Sequence, residues 1–154
     1  MEIADLLSLS GVSDGLKAGS KKQALQELSA VAAAQLAEKE RTILDLLLAR
    51  ERLGSTGVGG GVAIPHARLE GLSQPSGLFA RLREPIEYDA VDGQPVDLIF
   101  LLLAPETEGS DHLKALALVS RLLRDHRVCA RLRGADSAEA VYAVLAGAAG
   151  TART

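Results

Sequence analysis

The sequence predicts one α/β domain in which helices cover both faces of a mixed β-sheet. Stretches with the apolar spacing of helices alternate along the chain with short stretches typical of strands. Residues 96–103 are nearly all apolar, as expected for a central strand that is buried on both faces. The chain has 154 residues, of which 47% are hydrophobic and 24% charged, so it can form one substantial core. No internal repeat or domain linker is visible.

Apolar periodicity and capping signals predict the helices. Ser20 begins a capping-box pattern and opens a helix that extends to about Leu36. A second helix extends from about Glu40 to Leu53, where Gly54 is the usual stop signal. Other helical stretches are predicted at residues 3–9, 110–124, 126–132 and 136–145. Within the short helix at 126–132, Cys129 is expected to be a small core residue. The helix at 110–124 is expected to turn four residues inward: Leu113, Leu116, Ala117 and Leu123.

The strands are predicted from short apolar runs. A weak strand is expected at 12–17 and another at 61–65, which Pro65 should end because proline lacks a backbone donor. Over residues 77–84 an apolar set of side chains alternates with a set that includes two arginines, which favours a strand buried on one side. An acidic connection then extends from Pro85 to Pro95. Residues 1–147 are predicted to form the domain, and residues 148–154 a flexible C-terminal tail.

The glycine-rich stretch that ends in His66 is the most informative part of the chain. Residues 54–61 contain five glycines, which weaken a fold but allow positive φ and close approach to the backbone. Residues 62–64 then form a short apolar run, so His66 is expected at a strand end behind this loop. Imidazole titrates near neutral pH and has a nucleophilic nitrogen. The alternative is a β-hairpin turn with an incidental surface histidine.

Two further residues are candidates for the same site. His112 lies in the first turn of a predicted helix, where the helix dipole disfavours the imidazolium, although Asp111 beside it has the opposite effect. Arg50 lies in the last turn of the helix before the glycines, where cations are common. For both residues a solvated surface position is the alternative. His126 lies in a charged surface turn and is not a candidate.

Composition excludes several classes of function. The formal net charge of −3 argues against nucleic-acid and membrane-surface binding, and the 3% aromatic content against base-stacking platforms. A single cysteine allows no disulfide framework and no cysteine metal site. The N-terminus lacks the pattern of a signal peptide, and no run is long enough to span a bilayer. The sequence therefore predicts a cytoplasmic protein without a membrane-inserted segment, a metal or a cofactor.

The run GSTGVGGGVAIPHA at residues 54–67 resembles the active-site signature of the fructose/mannitol-type enzyme IIA domains of the bacterial phosphoenolpyruvate-dependent phosphotransferase system. Segments 85–98 and 112–117 are similar to the nitrogen-regulatory branch of that family, and the resemblance extends from about Ile3 to Leu145. It implies a three-layer α/β/α sandwich with a mixed sheet. One departure is Ala67-Arg68, where relatives commonly have Gly-Lys; Arg68 retains the positive charge.

The resemblance also implies roles for individual residues. His66 matches the histidine that receives a phosphoryl group from a histidine phosphocarrier protein, as a tele-phosphohistidine. His112 matches a second histidine that hydrogen-bonds the phosphoryl oxygens, and Arg50 matches an arginine that helps to hold the phosphate. The loop amides are expected to form an anion nest around the phosphate. This phosphate loop comprises Ser55, Thr56, Gly57, Gly59, Gly60 and Gly61.

The resemblance implies a regulator rather than a metabolic enzyme. Its phosphorylation state would control partner proteins such as transporters or kinases, through a largely apolar surface expected from Val58, Val62 and Ile64. Two alternatives remain open. One is a sugar-transport IIA component that passes phosphate to a IIB domain. The other is a hydrolase or metal enzyme built on His66, His112 and an acid such as Asp111.

Overall fold

The computed structural model describes residues 1–106 and 110–151 of the chain, with side chains up to residue 147. Its helices are α1 (Ile3–Leu6), α2 (Lys21–Leu36), α3 (Glu40–Arg52), α4 (Asp111–Arg124), α5 (His126–Gly134) and α6 (Ala138–Thr151). A short 3-10 turn covers Leu9–Gly11. The strands are β1 (Val12–Leu16), β2 (Gly57–Gly59), β3 (Val62–Ala63), β4 (His66–Leu69), β5 (Ser76–Ile86) and β6 (Val96–Pro105).

The strands form one mixed sheet around β6. Strand β6 pairs antiparallel with β5 on one side. On its other side it pairs in parallel with β3 and then with β4. Strand β1 adds to β5 in parallel, and β2 forms an antiparallel hairpin with β3. The predicted α/β class with a mixed sheet is therefore confirmed.

Successive residues of β6 feed two separate cores. Leu98, Phe100 and Leu102 pack with α1, α4, α5 and α6 on one face of the sheet. Ile99, Leu101 and Leu103 pack with α2 and α3 on the other face. Each such buried side chain contributes about 1.5–3 kcal/mol relative to exposure. The chain thus has three layers, as the resemblance implies, and the continuous apolar run of residues 96–103 is explained by burial on both faces.

The structure differs from the prediction for the strand at 61–65. Two short strands, β3 and β4, flank Pro65, so His66 begins a strand instead of ending one. Proline interrupts the strand because it donates no hydrogen bond, but its carbonyl still accepts one from the Leu102 amide at 2.9 Å. Strand pairing with β6 then resumes at His66 opposite Leu102.

Strand β5 is buried on both faces near its start, whereas its alternation predicted burial on one side only. Phe79 is fully buried in the α4 core, and Leu78 and Ala80 belong to the opposite core. The alternation reflects Arg81, which lies on the Phe79 side but reaches the carbonyls at the end of α5 and pairs with Asp14 at 2.6 Å. A polar residue in this strand therefore marks a helix-end contact, not a solvated face.

Two helix predictions also need correction. In α4 the inward residues are Ala115, Val119, Leu122 and Leu123, whereas Leu113 and Ala117 are exposed and Leu116 is partly buried. Apolar residues surround much of this helix, so spacing alone does not define the buried face. Helix α6 continues to Thr151, beyond the expected end near Leu145, because no proline or polar stop interrupts its alanine-rich end. Residues 152–154 of the predicted tail lie outside the described residues.

The glycine-rich stretch forms the β2–β3 hairpin, and Gly57 shows why glycine is needed there. A Cβ added at Gly57 would lie 2.8 Å from both the Cα and the Cβ of Ala90. The Gly57 carbonyl also accepts a hydrogen bond from the Val91 amide at 3.0 Å. The hairpin therefore lies directly against the connection that follows β5, and a side chain at Gly57 would separate the two segments.

We expect Gly57→Ala to lower the free energy of unfolding by about 1–3 kcal/mol, because backbone atoms at Ala90 would have to move. Urea unfolding monitored by circular dichroism measures the change. Gly134→Ala is the matched control, since a Cβ there meets no heavy atom within 4 Å. Its stability should be unchanged or slightly higher. Equal midpoints for the two variants would contradict the close approach.

Candidate functional site

Each of the three layers contributes one residue to the site. His66 is the first residue of β4 in the sheet, Arg50 lies in the last turn of α3, and His112 lies in the first turn of α4. Arg50 Nε lies 3.4 Å from His66 Nε2, and the centroids of the two imidazole rings lie 6.0 Å apart. The structure therefore brings together the three residues that the sequence indicated, at the place where α3 and α4 approach the same strand.

Two hydrogen bonds determine the tautomer of His66. Its Nδ1 lies 2.8 Å from the Ile64 carbonyl oxygen, which can only accept, so the ring proton is on Nδ1. Arg50 Nε, which can only donate, faces Nε2. A neutral ring with its proton on Nδ1 has its lone pair on Nε2, where it can accept the hydrogen bond from Arg50. His66 is partly exposed, and the nitrogen that carries the lone pair is the nucleophilic one.

Arg50 is held in place by the end of its own helix. Its Nη1 donates to the Gly54 carbonyl at 2.9 Å, while Nε points to His66. Gly54 has a φ of 150°, and the chain changes direction there after α3. The guanidinium is thus oriented beside the imidazole, and the alternative of a merely solvated Arg50 is not what the structure shows.

His112 remains neutral at neutral pH. Burial lowers its pKa below the usual value, and the positive charges of Arg68 and of a protonated His66 lower it further. The direction agrees with the expectation from its helix position, although burial is the largest cause. Among the described residues, His112 Nδ1 is a buried atom without a hydrogen-bond partner. The ring can therefore donate to or accept from a group bound next to His66.

A buried polar network fixes the start of the hairpin beside Arg50. The Glu51 carboxylate accepts from the Thr56 amide at 3.0 Å and from the Thr56 hydroxyl, and it pairs with Lys21 at 2.7 Å. The Thr56 hydroxyl lies 3.1 Å from the Tyr88 hydroxyl, and Lys21 lies over the Tyr88 ring. Burial, followed by the Glu51 charge, raises the pKa of Tyr88.

Sequence reasoning missed this network. A solvated position, the alternative considered for Arg50, would also suit its neighbour Glu51, but the Glu51 side chain is only 6% exposed. Local sequence contains little signal for it, because Lys21, Thr56 and Tyr88 lie on other segments. Tyr88, which lies in the connection predicted to be acidic, is fully buried and takes part in the same contacts.

The hairpin amides are already engaged within the protein. The Thr56 amide donates to Glu51, the Gly57 amide to Ser55 Oγ, and the Gly60 amide to Asp92. Ser55 Oγ in turn donates to the Tyr88 carbonyl. These bonds hold the hairpin in shape, so the amides of Thr56, Gly57 and Gly60 are not bare in this form of the loop. The phosphate nest itself stays a prediction.

The tip of the hairpin also lies away from His66. Val62 pairs with Leu98 whereas His66 pairs with Leu102, which is four residues, or about 13 Å, further along β6. The carbonyl of Gly60 accepts from Arg133, which also pairs with Asp97. Gly59, Gly60 and Gly61 therefore form the far turn of a hairpin. Of the predicted loop, residues Ser55 and Thr56 lie toward the site, since the Ile64 amide bonds the Thr56 carbonyl.

The other predicted residues lie apart from this group. Asp111 is exposed and makes no hydrogen bond to either histidine among the described residues. His126 is exposed at the start of α5, and Cys129 is buried and donates to the Leu123 carbonyl, as expected for a core residue. Within residues 1–106 and 110–147, no three His, Cys, Asp or Glu side chains cluster as a metal site would require. No helix of the described chain is long and apolar enough to cross a bilayer.

Comparison with known proteins shows the family of this chain. The model of a family described as "Phosphoenolpyruvate-dependent sugar phosphotransferase system, EIIA 2" matches residues 5–148. The chain is 55% identical over 146 residues to a nitrogen regulatory protein of Bradyrhizobium diazoefficiens, and the match covers 95% of each protein. It is 44% identical over 133 residues to the nitrogen regulatory protein of Escherichia coli, covering 86% of this chain and 82% of that protein.

A solved structure extends the similarity to three dimensions. The crystal structure of the nitrogen regulatory protein IIA-Ntr from Neisseria meningitidis matches with a TM-score of 0.87 at 40% identity. The match covers 93% of this chain and 98% of that chain. With a family model over almost its whole length and relatives that align end to end, the chain belongs to the phosphotransferase-system EIIA type 2 family, in its nitrogen-regulatory branch.

Proposed function

We propose that the protein accepts a phosphoryl group on Nε2 of His66 from a histidine phosphocarrier protein, and that the phosphorylation state then controls its contacts with partner proteins. The observation that carries this proposal is the pair of hydrogen bonds on His66. Together they favour the tautomer with the ring proton on Nδ1 and the lone pair on Nε2, next to the Arg50 guanidinium.

The transfer step needs no proton movement at His66. The Nε2 lone pair attacks the phosphorus of the donor phosphohistidine, the new N–P bond forms, and the N–P bond to the donor ring breaks. The donor ring, which carries a proton on its other nitrogen, leaves with that electron pair as a neutral imidazole. The proton of His66 stays on Nδ1 and remains hydrogen-bonded to the Ile64 carbonyl oxygen. Positioning and charge stabilisation are the main contributions a protein can make to such a reaction.

Arg50 and His112 have complementary roles in this step. Arg50 provides charge-assisted donors beside Nε2, and its guanidinium is already oriented by Gly54. His112 is neutral, so it offers a hydrogen bond without placing a second fixed charge against the nucleophile. Neither residue is the nucleophile, and loss of either should slow transfer without preventing it.

A regulatory contact is supported by apolar side chains that flank the site. Leu53, next to Gly54, is 85% exposed, and Leu113, next to His112, is 63% exposed. Of the surface expected from Val58, Val62 and Ile64, only Val58 is exposed, whereas Val62 and Ile64 are buried. A phosphate on His66 adds close to two negative charges to the site. A partner docked on these apolar residues would then have to desolvate the phosphate and the charged side chains that face it, which disfavours binding.

We expect His66→Ala to abolish labelling when the protein is incubated with phosphoenolpyruvate, enzyme I and the phosphocarrier protein. The label on wild type should be acid-labile, as a phosphohistidine is. His126→Ala is the matched control. It removes an exposed histidine on α5 and keeps His66, so this variant should be labelled as wild type is. Undiminished labelling of His66→Ala, with an unchanged circular dichroism spectrum, would show that another residue is the acceptor.

Arg50→Ala and His112→Ala should each slow labelling by about 10- to 100-fold, because each removes one stabilising contact and leaves the nucleophile. The initial rate of phosphate incorporation by rapid quench measures the effect. Arg52→Ala removes an exposed cation from the same helix turn and serves as control. A wild-type rate for Arg50→Ala or His112→Ala would return that residue to a surface role.

Phosphorylation of His66 should weaken binding of a regulated partner by at least about tenfold, because the charge would be desolvated at the contact. Partners recovered with the bare protein can be compared by calorimetry for the bare and phosphorylated forms. Leu113→Asp should weaken binding of the bare form, while Leu9→Asp, exposed beside β1 at the opposite sheet edge, should not. Equal affinities for both forms would contradict the regulatory proposal. Phosphate passed on to a IIB domain would favour the sugar-transport alternative.

A further inference from the structure

Arg68 lies on the same face of β4 as the acceptor histidine. Side chains alternate along a strand, and Ala67 and Leu69 both pack into the α2–α3 core. His66 and Arg68 therefore face the opposite layer, to which α4 belongs. The effect of the Arg68 charge on the pKa of His112 in the first turn of α4 is consistent with this placement.

The charge on Arg68 is not used elsewhere in the described part of the chain. Its side chain is exposed, and it has no hydrogen-bond or ion-pair partner among the described residues. By contrast, Arg81 pairs with Asp14, Arg133 pairs with Asp97, and Arg50 donates to the Gly54 carbonyl. Arg68 is thus a cation held close to the site and available for a ligand.

The charge balance around a phosphorylated His66 is consistent with a second cation at the site. A phosphoryl group brings a charge of about −1.5 to −2. Arg50 supplies one positive charge, His112 is neutral, and the nearest buried acid, Glu51, is paired with Lys21. Asp111 and Lys114, on the exposed side of the first turn of α4, carry opposite charges. One further positive charge is needed to balance the phosphorylated site.

We propose that Arg68 is the second cation of the phosphoryl pocket, which pairs with the phosphate on His66 and completes, with Arg50, a clamp from two sides of the ring. This inference rests on the proposed function and assigns a residue to it. Because Arg68 is exposed, its contact is formed after transfer and stabilises the phosphorylated state more than it accelerates attack. It should also be screened by salt.

The test compares Arg68→Gln with Arg68→Lys, which keeps the charge, and with Arg83→Gln. Arg83 is exposed on β5 beyond the Arg81–Leu98 pair, at the other end of the sheet from Leu102 and His66. Two quantities are measured. The first is the equilibrium distribution of phosphate between the phosphocarrier and this protein. The second is the pKa of His112 in unphosphorylated protein, by NMR titration of its ring proton.

Arg68→Gln should shift the phosphate equilibrium about three- to tenfold toward the phosphocarrier and raise the pKa of His112, since a neighbouring positive charge is lost. Arg68→Lys should leave the phosphate distribution close to that of wild type, and Arg83→Gln should leave it unchanged. If wild type is labelled but Arg68→Gln matches Arg83→Gln in the equilibrium, the Arg68 inference is wrong. If wild type is not labelled at all, the proposed function itself fails.

Discussion

The burial of β6 between two helical layers is the constraint on which the rest of this domain depends. Its side chains alternate between two cores, so each helical layer is registered against the same strand. Strands β3 and β4 take their places from the same β6 backbone. The first residue of β4 is His66, and its neighbours from α3 and α4 reach it because both layers are seated on β6. The site is therefore a consequence of layer packing.

The junction between α3 and the glycine hairpin shows how neighbouring residues acquire different tasks. Arg50 and Glu51 are consecutive, so their side chains diverge by about 100° around the helix. Arg50 points toward His66, and Glu51 points inward to Thr56 and Lys21. The buried carboxylate is stable there because Lys21 and the Thr56 donors compensate its charge. The network anchors the hairpin from which Ile64, the partner of the His66 ring, continues.

The electrostatics of the site favour binding of an anion, because positively charged side chains lie next to the His66 ring and the buried acid is already paired. The second histidine is kept neutral by burial and by neighbouring positive charge. The buried acid is neutralised inside the protein, and the remaining charged groups near the ring are arginines. Under the proposed function, this arrangement would stabilise a phosphoryl group, while the bare protein has exposed leucines next in sequence to Gly54 and His112. Under the proposed function, a partner would meet exposed leucines on the bare protein and an additional phosphate charge on the phosphorylated protein.

The sequence by itself determined the α/β class, most helix bounds, the central strand and the identity of His66, His112 and Arg50 as candidates. These features are local: apolar period, capping residues, a proline and a glycine-rich run act over a few residues. Tertiary structure alone decided which face of α4 is buried, that β5 is covered on both sides, and that Glu51 and Tyr88 are buried. It also decided that the glycine tip lies about 13 Å from His66 along β6. Such properties depend on strand register and on contacts between distant segments, and no local pattern encodes them.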